Sequence, residues 1–146
     1  MPKTRPTSFA KLTRPRLRKA VERDRLFRLL NKAREDRAAC CVVGPPGAGK
    51  TTLVASWLDT QSIKGVWYQV DPGDADLATF FYYLGQAALA FSRKGQHPLP
   101  LLTPEYLDGI EGFSRRFFRK FFARLPAGST LVLDNYQDVS AEHKFH

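Results

Sequence analysis

The chain has 146 residues, 43% of them hydrophobic and 25% charged, which is typical of one globular domain and unlike a disordered or fibrous protein. Its formal net charge of +9 lies wholly in residues 1–37, with thirteen Lys or Arg against four Asp or Glu, whereas residues 38–146 carry ten of each. No apolar run reaches the roughly 18 residues of a membrane span, and the N-terminus lacks the apolar run of a secretory signal, so we expect neither a membrane protein nor a secreted one.

The first predicted elements are a basic leader and an amphipathic helix. Residues 1–19 are rich in Pro, Arg, Lys and Thr without apolar periodicity, typical of a flexible leader, and we expect residues 20–146 to form the domain. Helical spacing then predicts a surface helix that packs through its leucines. Its apolar stripe comprises Val21, Leu26, Leu29, Leu30 and Ala33.

A strand, a helix and a second strand are predicted next. Residues 39–43 form a short apolar run that ends at a glycine, which predicts a strand buried on both faces of a parallel sheet. The adjacent Cys40 and Cys41 would point to opposite faces of it, so we expect no disulfide between them, a reducing compartment and a cytoplasmic location. Residues 51–58 predict a helix, and residues 66–70 predict a strand closed by turn residues.

The rest of the chain predicts two helices and one strand. Asp76 is expected to cap a helix that runs to about residue 91, and the glycine and prolines of residues 92–104 indicate a loop. A helix that covers the sheet is favoured over a membrane-surface or partner-binding helix for the phenylalanine-rich stretch 113–125. Residues 131–134 predict a third buried strand that ends at Asp134. Alternating strands and helices indicate an α/β layered fold.

The clearest chemical motif follows the first predicted strand. Residues 44–52, GPPGAGKTT, match the P-loop pattern G-x-x-x-x-G-K-[ST] between a strand and a helix. The glycines let backbone N–H groups turn toward phosphate oxygens, and the helix N-terminus adds the positive end of its dipole. Lys50 is expected to reach the β- and γ-phosphates. The predicted nucleotide-binding residues are Gly44, Pro45, Pro46, Gly47, Ala48, Gly49, Lys50, Thr51 and Thr52.

A metal site is predicted from the loop together with the third strand. The Thr51 hydroxyl is expected to bind Mg²⁺, and Asp134 ends an apolar strand as the Walker B acid of P-loop proteins does, so it is the second predicted metal ligand. Lys50 and Asp134 are also the candidate catalytic residues. The predicted cofactors are ATP or ADP with Mg²⁺.

Other segments carry a family resemblance. They are residues 11–26 (KLTRPRLRKAVERDRL), 44–57 (GPPGAGKTTLVASW), 66–76 (VWYQVDPGDAD) with FFYYL at 80–84, and 131–139 (LVLDNYQDV). Together they resemble the MalT-like nucleotide-binding domains of the STAND class, found in large ATP-dependent bacterial transcription regulators. The resemblance implies a P-loop NTPase fold, a three-layer α/β/α arrangement with a mostly parallel sheet. In related P-loop domains a strand encoded after Walker B lies between the two motif strands, so we expect the fold to be truncated at its C-terminal side.

The resemblance implies a nucleotide-dependent switch in a signal-responsive transcription regulator. Its expected partners are a nucleotide and the other domains of the regulator, with DNA contacted only outside this chain. We also expect poor stability or self-association through open sheet edges. The family usually has two acids after the Walker B strand, whereas Asn135 here cannot accept a proton, so slow or absent ATP hydrolysis is expected. A turnover ATPase or P-loop kinase, and an interaction module that uses the basic arm, remain the alternatives.

Overall fold

The structure is a computed structural model that describes residues 9–18, 21–37 and 39–139. Residues 1–8 and 19 of the predicted leader, residues 20 and 38, and the C-terminal residues 140–146 lie outside the described residues. The chain forms two compact units. One contains the described residues up to Thr13 and those from Lys64 onward, and the other is Arg14–Ile63. Each unit is described separately below.

The first unit is built on a two-stranded parallel sheet. Strand β1 is Gly65–Gln69 and strand β2 is Thr130–Asp134, with Gly65 opposite Thr130 and Gln69 opposite Asp134. Both strands confirm the sequence prediction to within one residue. The middle of β1 is buried, but β2 is only half-buried, less than predicted.

Two helices pack with this sheet. Helix α3, Leu77–Leu89, is capped by Asp76, whose carboxylate accepts hydrogen bonds from the backbone N–H groups of Ala78 and Thr79. Helix α4 is Ile110–Arg124. Its buried phenylalanines, 113, 117 and 121, share one core cluster with Val66 and Tyr68 of β1. The predicted helices and the α/β class are therefore confirmed, with four α-helices and one parallel strand pair in the described part of the chain.

The second unit contains two helices and the glycine-rich loop, residues 44–49. Helix α1 is Asp24–Asp36 and helix α2 is Lys50–Thr60. The two helices are joined by a hydrogen bond of 2.7 Å from the indole N–H of Trp57 to the amide oxygen of Asn31. Arg14, in the predicted leader, forms an ion pair of 2.5 Å with Asp59 near the end of α2.

One sequence prediction is wrong in this unit, and another holds only in part. Residues 39–43 form no strand. The run is not buried, since Cys40 and Cys41 are exposed and Val43 is 86% exposed. An apolar run can supply a buried strand only where a neighbouring strand accepts its hydrogen bonds, and the described sheet pairs β1 directly with β2. In α1 the predicted apolar stripe holds in part: Leu26, Leu30 and Ala33 are half-buried, whereas Val21, before the helix, and Leu29 are exposed. The buried residue of the helix is Phe27, which the predicted stripe did not include.

No helix among the described residues is long and apolar enough to cross a bilayer.

Candidate functional site

Two glycines of the glycine-rich loop adopt left-handed backbone conformations. Gly47 and Gly49 have φ angles of 78° and 81°, in the left-handed region that residues with a Cβ atom adopt only with strain. The backbone N–H of Ala48 donates to the carbonyl of Pro45 at 3.2 Å and closes a turn between them. Gly49 is the N-cap of α2, so the loop leads directly into the helix at Lys50.

The Lys50 side chain folds back over the same loop. Its ammonium donates hydrogen bonds to the carbonyl oxygens of Gly44 at 2.8 Å and Pro45 at 3.1 Å. An ammonium has three N–H donors, so these two bonds leave capacity for one more acceptor. The loop residues and their principal cation are therefore in contact within one unit.

The start of α2 is favourable for an anion. The first N–H groups of a helix lack acceptors within the helix, and the helix dipole adds a partial positive charge there. The first turn of α2 contains no acidic residue that would oppose this charge. Thr51 and Thr52 lie in that turn, the first half-buried and the second exposed.

A second cation at the loop escaped the sequence analysis. Arg23 is the N-cap residue of α1, and its guanidinium approaches the carbonyl of Ala48 at 3.5 Å. Another nitrogen of the same group lies 3.5 Å from the position that a Cβ atom on Gly49 would occupy. Arg23 precedes the motif by more than 20 residues within a generally basic stretch, so no local spacing distinguishes it from its neighbours.

Asp134 ends β2 as predicted. Its backbone carbonyl accepts a hydrogen bond of 2.8 Å from the N–H of Val70, and its carboxylate accepts one of 3.1 Å from the N–H of Asn135. Asn135 has a φ of 58°, in the left-handed region that Asn and Asp tolerate better than most residues, and it turns the chain out of the strand.

The two predicted metal ligands are not brought together within one unit. Thr51 belongs to the unit of the glycine-rich loop and Asp134 to the unit of the sheet. Among the described residues, no group of three or more His, Cys, Asp or Glu could hold a metal ion. A shared Mg²⁺ site of Thr51 and Asp134 therefore stays a prediction.

The chemical groups at the glycine-rich loop are of the kinds that bind polyphosphates. The loop offers a helix N-terminus, the ammonium of Lys50 and the guanidinium of Arg23, and both glycines leave the backbone free of Cβ atoms. Phosphates are commonly bound by such a combination of backbone N–H groups and cations.

Comparison with known proteins gives partial relatives. The chain is 42% identical over 79 residues to the HTH-type transcriptional regulator MalT of Vibrio campbellii and, to the same extent, to that of Vibrio parahaemolyticus. The match covers 53% of this chain and 8% of each regulator. No family model matches the chain, and no solved structure gives a significant match. The resemblance to MalT-like regulators that the sequence motifs indicate is confirmed as similarity to a segment of those proteins.

Proposed function

We propose that this chain binds ATP or ADP with Mg²⁺ through residues 44–52 and acts as a nucleotide-dependent switch within a transcription regulator. The observation that carries the proposal is the meeting of the Lys50 ammonium and the N-terminus of α2 at a loop in which Gly47 and Gly49 adopt positive φ. The role in transcription rests on the similarity to a segment of the MalT regulators, of which this chain spans only 8%.

Phosphate binding would use groups that already lie at the loop. Backbone N–H groups of residues 47–52 would donate to phosphate oxygens, and Lys50 would exchange its bonds to Gly44 and Pro45 for charge-assisted bonds to a phosphate. Arg23 would add a second positive charge beside Gly49. Among the described residues, Lys50 is held by neutral carbonyls and by no carboxylate, so no ion pair within that part of the chain opposes the exchange.

The metal would neutralise charge on the phosphates and help to orient them. Thr51 would hold it through the hydroxyl and Asp134 through the carboxylate, in the arrangement that the resemblance implies. That arrangement belongs to a three-layer α/β/α P-loop fold. The parallel pair β1–β2 and the four α-helices of the described residues support this fold class only as a mixed α/β arrangement.

Slow turnover follows from the residues after β2. ATP hydrolysis needs a group that positions or deprotonates water, and Asn135 has an amide where the family usually has a second acid. Asp138 is exposed and ends a short 3₁₀ turn, Tyr136–Asp138. We therefore favour a switch that holds nucleotide over a turnover ATPase or a P-loop kinase.

The basic leader is assigned to internal contacts rather than to a separate interaction module. Lys11 contacts Asp71 and Asp74, and Arg14 contacts Asp59, so two of its cations already face carboxylates of the same chain. Other domains of a regulator, a cytoplasmic location and DNA contacts outside these residues remain part of the proposal.

Calorimetric titration tests the proposed function. ATP and ADP are titrated into the folded chain with Mg²⁺ and with a chelator, in parallel with the Thr51→Ala variant. We expect Mg²⁺ to strengthen ATP binding and Thr51→Ala to remove most of that gain. Binding that is absent, or equal under all these conditions, would contradict the proposal.

A further inference from the structure

The ammonium of Lys11 is in contact with two carboxylates and two aromatic rings. It is 2.8 Å from a carboxylate oxygen of Asp71 and 3.0 Å from both oxygens of Asp74. It also lies 5.1 Å from the ring centroid of Tyr68 and 4.8 Å from that of Tyr83, within cation–π range. Two carboxylates and two rings therefore surround one ammonium.

The groups that hold this ammonium are fixed by their own surroundings. Asp74 is fully buried, and it accepts a hydrogen bond of 2.5 Å from the Tyr68 hydroxyl and one of 2.9 Å from the backbone N–H of Asp71. Asp71 in turn accepts from the N–H of Gly73 at 2.9 Å. Both carboxylates belong to a capping box on the turn Pro72–Ala75, directly after β1, so their positions do not depend on Lys11.

Lys11 itself lies on the short turn Ala10–Leu12, which packs beside β1. The turn Ala10–Leu12 has no buried residue, and its backbone bonds from Leu12 to Phe9 and from Thr13 to Ala10 stay inside it. Apart from Lys11, its contacts with the unit include the Phe9 ring, edge-on to Tyr83 at 5.3 Å, and the partly buried Leu12. The groups around the ammonium belong to β1, the capped turn and α3.

We propose that Asp71, Asp74, Tyr68 and Tyr83 form a binding site for a primary alkylammonium group, and that Lys11 occupies it as a tethered ligand. Carboxylates beside aromatic rings recognise cations through charge and ring quadrupole together. Lys11 is accordingly an internal ligand of this site, and an ammonium supplied from outside can take its place when the Lys11 side chain is removed. This inference does not depend on nucleotide binding.

Chemical rescue of a Lys11→Ala variant tests the proposal. Removing the side chain beyond Cβ leaves a cavity with two carboxylates and two rings, and n-propylammonium matches the three carbons and the ammonium that are lost. We expect Lys11→Ala to unfold at a lower temperature than the unmodified chain, and saturating n-propylammonium chloride to raise its Tm by at least about 3 °C. The unmodified chain should shift by less than about 1 °C, because its site is filled.

Three controls make the result specific. Sodium chloride at equal ionic strength should not reproduce the rescue, Lys11→Met should not respond because its stem fills the cavity, and Lys64→Ala should not respond because Lys64 is exposed and outside the site. If Lys11→Ala is unfolded alone, the titration is followed as a gain of near-ultraviolet circular dichroism. A Lys11→Ala variant that shows no more response to the amine than the controls, folded or unfolded, would overturn the proposal.

Discussion

Lys50 donates a hydrogen bond of 2.8 Å to the carbonyl oxygen of Gly44, six residues earlier in the chain, and so closes the glycine-rich loop on itself. The contact joins the motif's first glycine to its lysine. It places the ammonium at the loop while leaving it only neutral acceptors to give up when a phosphate binds. The proposed nucleotide binding depends on this local arrangement.

Arg23 is expected to strengthen nucleotide binding although it lies outside the motif. The Arg23→Gln variant should weaken ATP binding about three- to tenfold, since an exposed charge near a phosphate is partly screened by water. Arg25→Gln, an equal charge change at an exposed position of α1, is the control and should leave the affinity within about twofold. Equal effects of the two variants would assign the loss to net charge rather than to Arg23.

Turnover is expected to be far below the roughly 1 to 10³ per second of ordinary enzymes. Steady-state phosphate release should be very slow for the unmodified chain, and Asn135→Asp should accelerate it if the missing acid is what limits hydrolysis. Aspartate tolerates the left-handed φ of this position as asparagine does, so the substitution should not disturb the turn. Rapid release by the unmodified chain would favour the enzyme alternative.

Gly65 is expected to be required where β1 meets β2. A Cβ atom there would lie 1.9 Å from the backbone oxygen of Thr130, so Gly65→Ala must push the strands apart and should lower the free energy of unfolding by at least about 2 kcal/mol. The matched change Gly85→Ala, inside α3 with no atom within 4 Å of the new Cβ, should be neutral or stabilise by up to about 1 kcal/mol. Urea unfolding of the two variants provides the comparison, and a Gly65→Ala chain as stable as the parent would refute the close-contact argument.

The ion pairs of Lys11 are expected to contribute to stability within a defined pH window. The hydrogen bond from Lys11 lowers the pKa of Asp71. Burial acts to lower the pKa of Lys11, but the hydrogen bonds and charges of Asp71 and Asp74 outweigh it, so that pKa is raised. A lowered acid pKa gives stability above the unfolded value near 4 that is lost in acid, and a raised lysine pKa gives stability below about 10.4 that is lost in alkali.

The difference in Tm between the unmodified chain and Lys11→Met should therefore be largest between about pH 5 and 9 and should shrink at both ends. Taking this difference removes the contribution of other carboxylates, such as Asp76, whose pKa is also lowered, chiefly by its hydrogen bond from Thr79. A difference that stays constant from pH 3 to 11 would mean that these ion pairs do not stabilise the fold.

Local chemistry explains what the sequence could predict. The two glycines before Lys50, the Asp76 cap of α3 and the phenylalanine repeat of α4 each depend on neighbours a few residues away, and the structure has them as expected. The strand predicted for residues 39–43 is absent, because an apolar run does not identify the strand that would pair with it. Arg23 and Lys11 were missed as site residues because their contacts join segments 25 and 63 residues apart.

Calorimetry of ATP binding by the unmodified chain and by Lys50→Ala tests the central claim most directly. Because a charge-assisted hydrogen bond to phosphate contributes about 1.5 to 3 kcal/mol, Lys50→Ala should weaken binding at least about tenfold. Lys64→Ala, which removes an exposed lysine outside the loop, should leave it unchanged. Absence of nucleotide binding by well-folded protein, or an affinity that Lys50→Ala does not alter, would contradict the account.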